Sequence, residues 1–276
     1  MSNRTLLVGV LALCAFLPSG CKKKTETGPV TTPPPGDAPK GTTPAPADAS
    51  ILDPAQVKNG GSVAGTIKVD GAVPSPEIVD MSQKPECVQL HGDKGAKKDN
   101  LVAGSGLADV FVYVKKGLEN YKFSVPTDPA VIDQKGCMYA PHVFGIMVNQ
   151  DLKVLNSDPF SHNVKNLDIN LNLGMTKGQA PEVKPKAFKK EQVPTVFQCD
   201  VHAWMKAFAC VVKHPYYAVT KDDGKFEIKN LPPGKYTLAV WHEKALGLTD
   251  PAPAEVEIEI KPGETVTKDF TYAYKR

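Results

Sequence analysis

Short strand-like runs, closely spaced and broken by glycine and proline, constrain this chain more than any other feature. Ser62–Val69 alternates apolar and polar residues, the period of a half-buried strand. Comparable runs follow at Leu107–Val114, Leu152–Leu155, Asn163–Lys165, Thr195–Cys199, Ala207–Val212, Lys225–Ile228, Tyr236–Trp241 and Ala254–Ile260. No segment sustains a helical stripe, and Met175–Lys190, rich in Lys, Pro and Gly, reads as a long loop. The expected class is all-β, built as β-sandwiches. Asp70-Gly71 marks a turn after the first run, and Asp223-Gly224 predicts a tight hairpin between two later ones. Asn230-Leu-Pro-Pro-Gly234 predicts a further reversal, with proline presetting φ and glycine supplying a positive φ.

The first 60 residues are of another kind. Arg4 precedes an apolar run from Leu6 to Leu17, then Pro18-Ser19-Gly20-Cys21. That order reads as a secretory signal over 1–20, too short to span a bilayer. Ser-Gly-Cys21 resembles the lipobox of bacterial lipoproteins. The resemblance implies lipidation of Cys21 and a membrane anchor through that lipid. With Lys22 rather than Asp next, it implies the periplasmic face of the outer membrane or the cell surface. An ordinary signal peptide with an unrelated cysteine is the alternative. Residues 21–60 are mostly Pro, Thr, Ala, Gly and Lys, which cannot bury enough surface to offset ordering entropy, so a disordered tether is expected.

The remaining residues, about 215, suffice for one large or two small β domains. The net charge of +3 is too balanced to point to nucleic acid. No basic stripe with interleaved aromatics appears, and no glycine-rich phosphate loop.

The chemistry lies in Cys199-Asp-Val-His202-Ala-Trp-Met205. A thiolate, an imidazole and a thioether in one short connection can converge on one ion. The thiolate selects Cu(I), Zn or iron–sulfur, and the thioether argues for copper over zinc. His162, in Asn156-Ser-Asp-Pro-Phe-Ser-His162-Asn163, supplies a second imidazole from a strand end. Together these make a His2Cys trigonal set with a weak axial Met, for one mononuclear copper ion. Asn163 is placed to hydrogen-bond across to the Cys199 loop and fix it. No Ser-His-Asp arrangement or carboxylate pair supports hydrolysis, so no enzymatic activity is expected.

These two motifs resemble the cupredoxins, the blue-copper electron carriers, and the short ligand loop is similar to that of amicyanin. The resemblance covers about residues 100–213 and implies a Greek-key β-sandwich. It implies His162, Cys199, His202 and Met205 as copper ligands, with His202 the solvent-side ligand and electron port. It further implies one-electron exchange with redox protein partners in the cell envelope. A module for copper storage, delivery or sensing is the alternative. Residues 214–276, with His214-Pro-Tyr-Tyr and Asn230-Leu-Pro-Pro-Gly-Lys-Tyr-Thr-Leu, resemble the carboxypeptidase regulatory-like, transthyretin-type β-sandwich. Gly61–Gly71 resembles the first strand of the same module, so 61–99 is an N-terminal β segment and the copper domain an insertion. The combination is similar to exported bacterial proteins of methylamine-utilisation type.

Setting Cys14 and Cys21 aside leaves four cysteines and three pairings. A Cys199–Cys210 staple is the rival of the metal site, but a staple has no need of His202 and Met205 between its ends. Under the copper reading Cys87 pairs with Cys137, and Cys210 is a small apolar residue in a strand. His142 offers either a second metal group with Cys137 or Met138, or a structural contact. His91, His214 and His242 read as structural. Trp204 serves either as packing over the site or as part of a surface for electron exit.

Overall fold

In a computed structural model, residues 51–70, 78–92, 95–97, 106–243, 248–249 and 255–274 are described. The signal segment, Cys21, the tether as far as residue 50 and Gly71 lie outside them. The fold is all-β and cupredoxin-like, made of two sandwiches. The first pairs a five-stranded sheet with a four-stranded one. The larger sheet runs in the order Leu171–Met175, His162–Asn166, Gln192–Gln198, Lys206–Val212, Val143–Met147. The smaller runs Glu182–Lys184, Leu152–Asn156, Ala130–Gln134, Tyr139–Ala140. Inward residues of both sheets, among them Ile132, Ile146, Leu152, Val154, Val164, Phe197 and Val211, form one buried cluster. Burying such side chains stabilises the sandwich by about 1.5–3 kcal/mol each.

The second sandwich opposes Tyr217–Val219, Phe111–Lys116, Gly234–Trp241 and Glu255–Ile260 to a sheet of Lys225–Leu231, Gly61–Asp70, Phe270–Tyr274 and Leu248–Thr249. Thr265–Thr267 pairs in parallel with the start of Gly61–Asp70. Its core holds Val63, Ile67, Val112, Val114, Ile228, Leu238 and Phe270. Alternation in Gly61–Asp70 explains the placement, since Val63, Ile67 and Val69 are all buried.

Several expectations are corrected here. The run at 107–114, grouped on sequence with the copper domain, belongs to the second sandwich, because Phe111–Lys116 pairs with Tyr217–Val219 and Gly234–Trp241. In chain order the first sandwich therefore lies between two strands of the second. Residues 51–60, read as the end of the tether, carry a strand at Ile51–Leu52 paired with Lys122–Phe123, and a short 3-10 turn. Segment 61–99 is not wholly β, since Pro85–His91 is an α-helix, opened by proline at a position that needs no amide donor. Glu182–Lys184 turns part of the expected loop into an edge strand. Asp223-Gly224 is a turn, closed by Gly224 N–H on Lys221 O at 2.7 Å, with Gly224 at φ +67°. It is not a hairpin: the strands on either side belong to opposite sheets, so the chain crosses the sandwich there.

The two sandwiches share a third cluster. Phe111, Val143, Cys210 and Val212 are buried in it, with Phe208, Tyr217 and Trp241 packed around. Gly145 makes room for this contact, because a Cβ there would lie 2.1 Å from the Tyr217 ring. Cys210 is a free thiol inside the apolar cluster, and burial pushes its pKa far up.

Candidate metal centre

The Cys199–Met205 connection is a closed turn. Cys199 N–H donates to Met205 O at 3.2 Å and Met205 N–H to His202 O at 2.9 Å. Its stem is the antiparallel pair Gln192–Gln198 and Lys206–Val212, in register at Gln198 and Lys206. His162 opens the strand next to this pair, where Lys165 faces Gln198. Strand ends of one sheet thus bring an upstream imidazole beside the loop.

The donors converge. His162 Nδ1 lies 3.0 Å from His202 Nδ1, and Cys199 Sγ lies 3.7 Å from His202 Nδ1. The ligand atoms of all three fall within 4.8 Å of one another. His162 is 2% exposed, Cys199 5%, His202 1% and Met205 0%. Cys199 is not disulfide-bonded, so the alternative staple to Cys210 is absent.

Asp158, which sequence reasoning did not nominate, orients the first imidazole. Its buried carboxylate accepts from His162 Nε2 at 2.7 Å, and from Gly136 and Cys137 N–H at 2.6 and 2.8 Å. With its Nε2–H committed, neutral His162 turns the lone pair of Nδ1 inward. The carboxylate four residues before a candidate ligand was the signal available in the sequence. Asn156, two residues earlier, braces that loop from its side chain to Phe160 O at 2.9 Å.

Asn163 accepts from Asp200 N–H at 2.7 Å, tying His162's strand to the Cys199 loop. Its carbonyl also accepts from Tyr139 Oη at 2.5 Å.

Charge follows this geometry. Burial disfavours an imidazolium at His162, but hydrogen bonds to Cys199 and Asp158 outweigh it and raise its pKa above the ordinary value. Burial likewise disfavours a Cys199 thiolate, but the His162 hydrogen bond and nearby backbone amides outweigh it, and the pKa is lowered. Burial, then the charge of His162, pushes His202 down to about 4. His202 is therefore a neutral donor across physiological pH.

A copper ion fits this donor set. The two inward Nδ1 atoms stand 3.0 Å apart, close enough to share either a proton or a cation between them. Ligands about 2 Å from a common centre stand at such spacings. One soft thiolate and two imidazoles, with Met205 buried in the same turn, suit copper. His202 Nε2 is buried without a hydrogen-bond partner.

The site is closed, which corrects the expectation of a solvent-side His202. A strap formed by residues 78–92 and 95–97 packs Val79, Met81, Cys87 and Ala96 against Cys137, Met138, Phe160 and Trp204. The disulfide Cys87–Cys137 fastens it, and His91 Nε2 bonds Gly136 O at 2.6 Å. Both disulfide sulfurs lie within 4.8 Å of a His202 ring nitrogen. Trp204 packs on His202 with ring centroids 5.2 Å apart, and its Nε1–H donates to Cys137 O at 2.9 Å.

His142 is not part of this cluster. Its Nδ1 faces Lys206 O at 3.1 Å and its Nε2 faces Glu243 Oε1 at 2.8 Å. His214 packs beside Phe123 and Tyr216, within the second sandwich.

The class that fold and site define is an all-β protein of cupredoxin-like fold with a buried Cys/His cluster. Solved structures similar to it include a copper-containing nitrite reductase of Thermus scotoductus SA-01, at 20% identity and TM-score 0.27, covering 33% of this chain. This chain spans only 24% of that reductase. A purple cupredoxin of Nitrosopumilus maritimus is similar at 22% identity and TM-score 0.26, over 30% of this chain and 98% of its own. Amicyanin of Paracoccus versutus is similar at 20% identity and TM-score 0.27, over 36% and 96%. A family profile described as polysaccharide lyase family 4, domain II, matches residues 184–268. No curated protein matches.

Proposed function

We propose that this protein is an exported type 1 copper protein that carries single electrons. His162, Cys199 and His202 would hold the ion, with Met205 as the weak axial ligand. When bound, copper supplies a one-electron couple. The remaining work falls to the chain. Asp158 holds His162 in one tautomer, Asn163 holds the Cys199 loop, and the strap with its disulfide covers His202. Donors fixed in advance need little rearrangement when the charge changes.

The observation that carries this reading is the convergence of one thiolate and two Nδ1 atoms in a closed pocket. The rival reading, a module for copper storage, delivery or sensing, needs metal that exchanges readily, and the enclosure of all four donors weighs against it. The lipid anchor at Cys21, a place at the outer membrane or cell surface, and redox protein partners belong to the same proposal. The role is that of a carrier rather than an enzyme. The second sandwich, in this reading, is a regulatory-like module that bears the copper domain without chemistry of its own.

The test is visible spectroscopy with metal analysis on protein made in an oxidising compartment. One copper per chain and an intense thiolate-to-copper band are expected, both lost in Cys199→Ser. A colourless protein that surrenders copper to a mild chelator would favour the rival.

A further inference from the structure

We propose that Trp204 is the electron port of this site, the side chain through which an electron passes between the buried donors and an outside partner. This rests on the copper reading above. The argument starts from burial: no candidate ligand is more than 5% exposed. None of them offers a partner a contact surface. Transfer through protein weakens steeply with distance, so a group that touches both a donor and the solvent sets the route.

Trp204 is such a group. It follows His202 by two residues, is only partly buried, and packs its ring on the imidazole at 5.2 Å and 53°. Its Nε1–H is held by Cys137 O at 2.9 Å. Cys137 is itself fixed by the disulfide and by Asp158. The indole therefore keeps one distance to His202 instead of swinging away.

Other neighbours of the donors serve less well. The Cys87–Cys137 disulfide lies against His202, but both its residues are 0% exposed. Phe160 packs on His162 at 5.2 Å and is partly exposed. Its benzene ring is harder to ionise than an indole, and so bridges more weakly. In the step itself, a one-electron acceptor such as an anionic iron(III) complex gains the one electron the site loses. No bond or proton changes place, and the indole is left unoxidised.

The experiment uses the full chain loaded with copper, reduced to Cu(I) and freed of excess reductant, and follows its oxidation by hexacyanoferrate(III) by stopped flow. Trp204→Leu is expected to keep copper and the charge-transfer band while slowing the reaction about tenfold. Trp204→Phe, which keeps a ring but a harder one to ionise, is expected to recover only part of the rate. A second readout needs no copper. The chain has two tryptophans, so Trp241→Phe leaves Trp204 alone, and iodide should quench its emission. A wild-type rate in Trp204→Leu, or slowing by Phe160→Leu instead, overturns the port. So does Trp204 emission that iodide cannot reach, which decides the matter if Trp204→Leu loses copper. A missing charge-transfer band in the unmodified protein would instead sink the copper reading. An intact band with an unchanged Trp204→Leu rate sinks the port alone.

Discussion

Asp158 shows how much of the site rests on a residue that binds nothing itself. It fixes the His162 ring and caps two backbone amides of the loop that carries the disulfide. Asp158→Asn keeps the shape but weakens the grip on Nε2–H. Copper affinity should fall about 10- to 100-fold, measured by competition with a chelator. The three residues that converge were legible as candidates: Cys199 and His202 stand at short spacing in one turn, and His162 opens a strand-like run upstream. Asp158 was harder to single out, since an aspartate between Ser157 and Pro159 looks like any turn residue until its partner is placed. The exposure of His202 was misjudged for a related reason: what covers it comes from residues about 110 positions upstream.

At the level of elements, the strap is fastened by the Cys87–Cys137 disulfide and by His91 on Gly136 O. It contributes a seven-residue helix, too short to be stable alone. Cys87→Ser with Cys137→Ser should lower unfolding free energy by about 2–4 kcal/mol in urea titrations. The same pair should speed copper release to a chelator, since His202 loses its cover. In the sandwich beneath, Phe197 packs between Phe144 and Phe188. Phe197→Ala should cost about 3–5 kcal/mol by the same measurement. Most strands were readable from alternation, which the half-buried sheets impose. The helix was not, because seven residues give too little periodicity. The false hairpin at Asp223-Gly224 has a different origin. Turn chemistry dictates that the chain reverses there, but it does not say which sheet receives the next strand.

Across the described residues, the two sandwiches meet through apolar packing, and a polar link joins His142 to Glu243. Burial disfavours a charge on His142, but hydrogen bonding to Glu243, and the charges of Glu243 and Asp109, outweigh it and raise its pKa. Both ring nitrogens face acceptors, so the imidazolium is the form that satisfies them. A folded pKa above the unfolded 6.5 stabilises the protein fully below that pH. The contribution then disappears as pH rises through the folded value. Urea midpoints of the unmodified protein should therefore fall over that range, and His142→Ala should flatten the dependence. Charge and spacing foretold none of this, because His142 and Glu243 are 101 residues apart.

The interleaving of the sandwiches also has a bearing on assembly. Phe111–Lys116 must find Tyr217–Val219, and the entire first sandwich is strung between them. Left as loose chain, that length makes the meeting entropically expensive. Once it has collapsed into its own sandwich, its two ends emerge near each other and the search is short. The inner unit thus acts as the clasp of the outer one, and damage to its core will be felt as failed maturation of both.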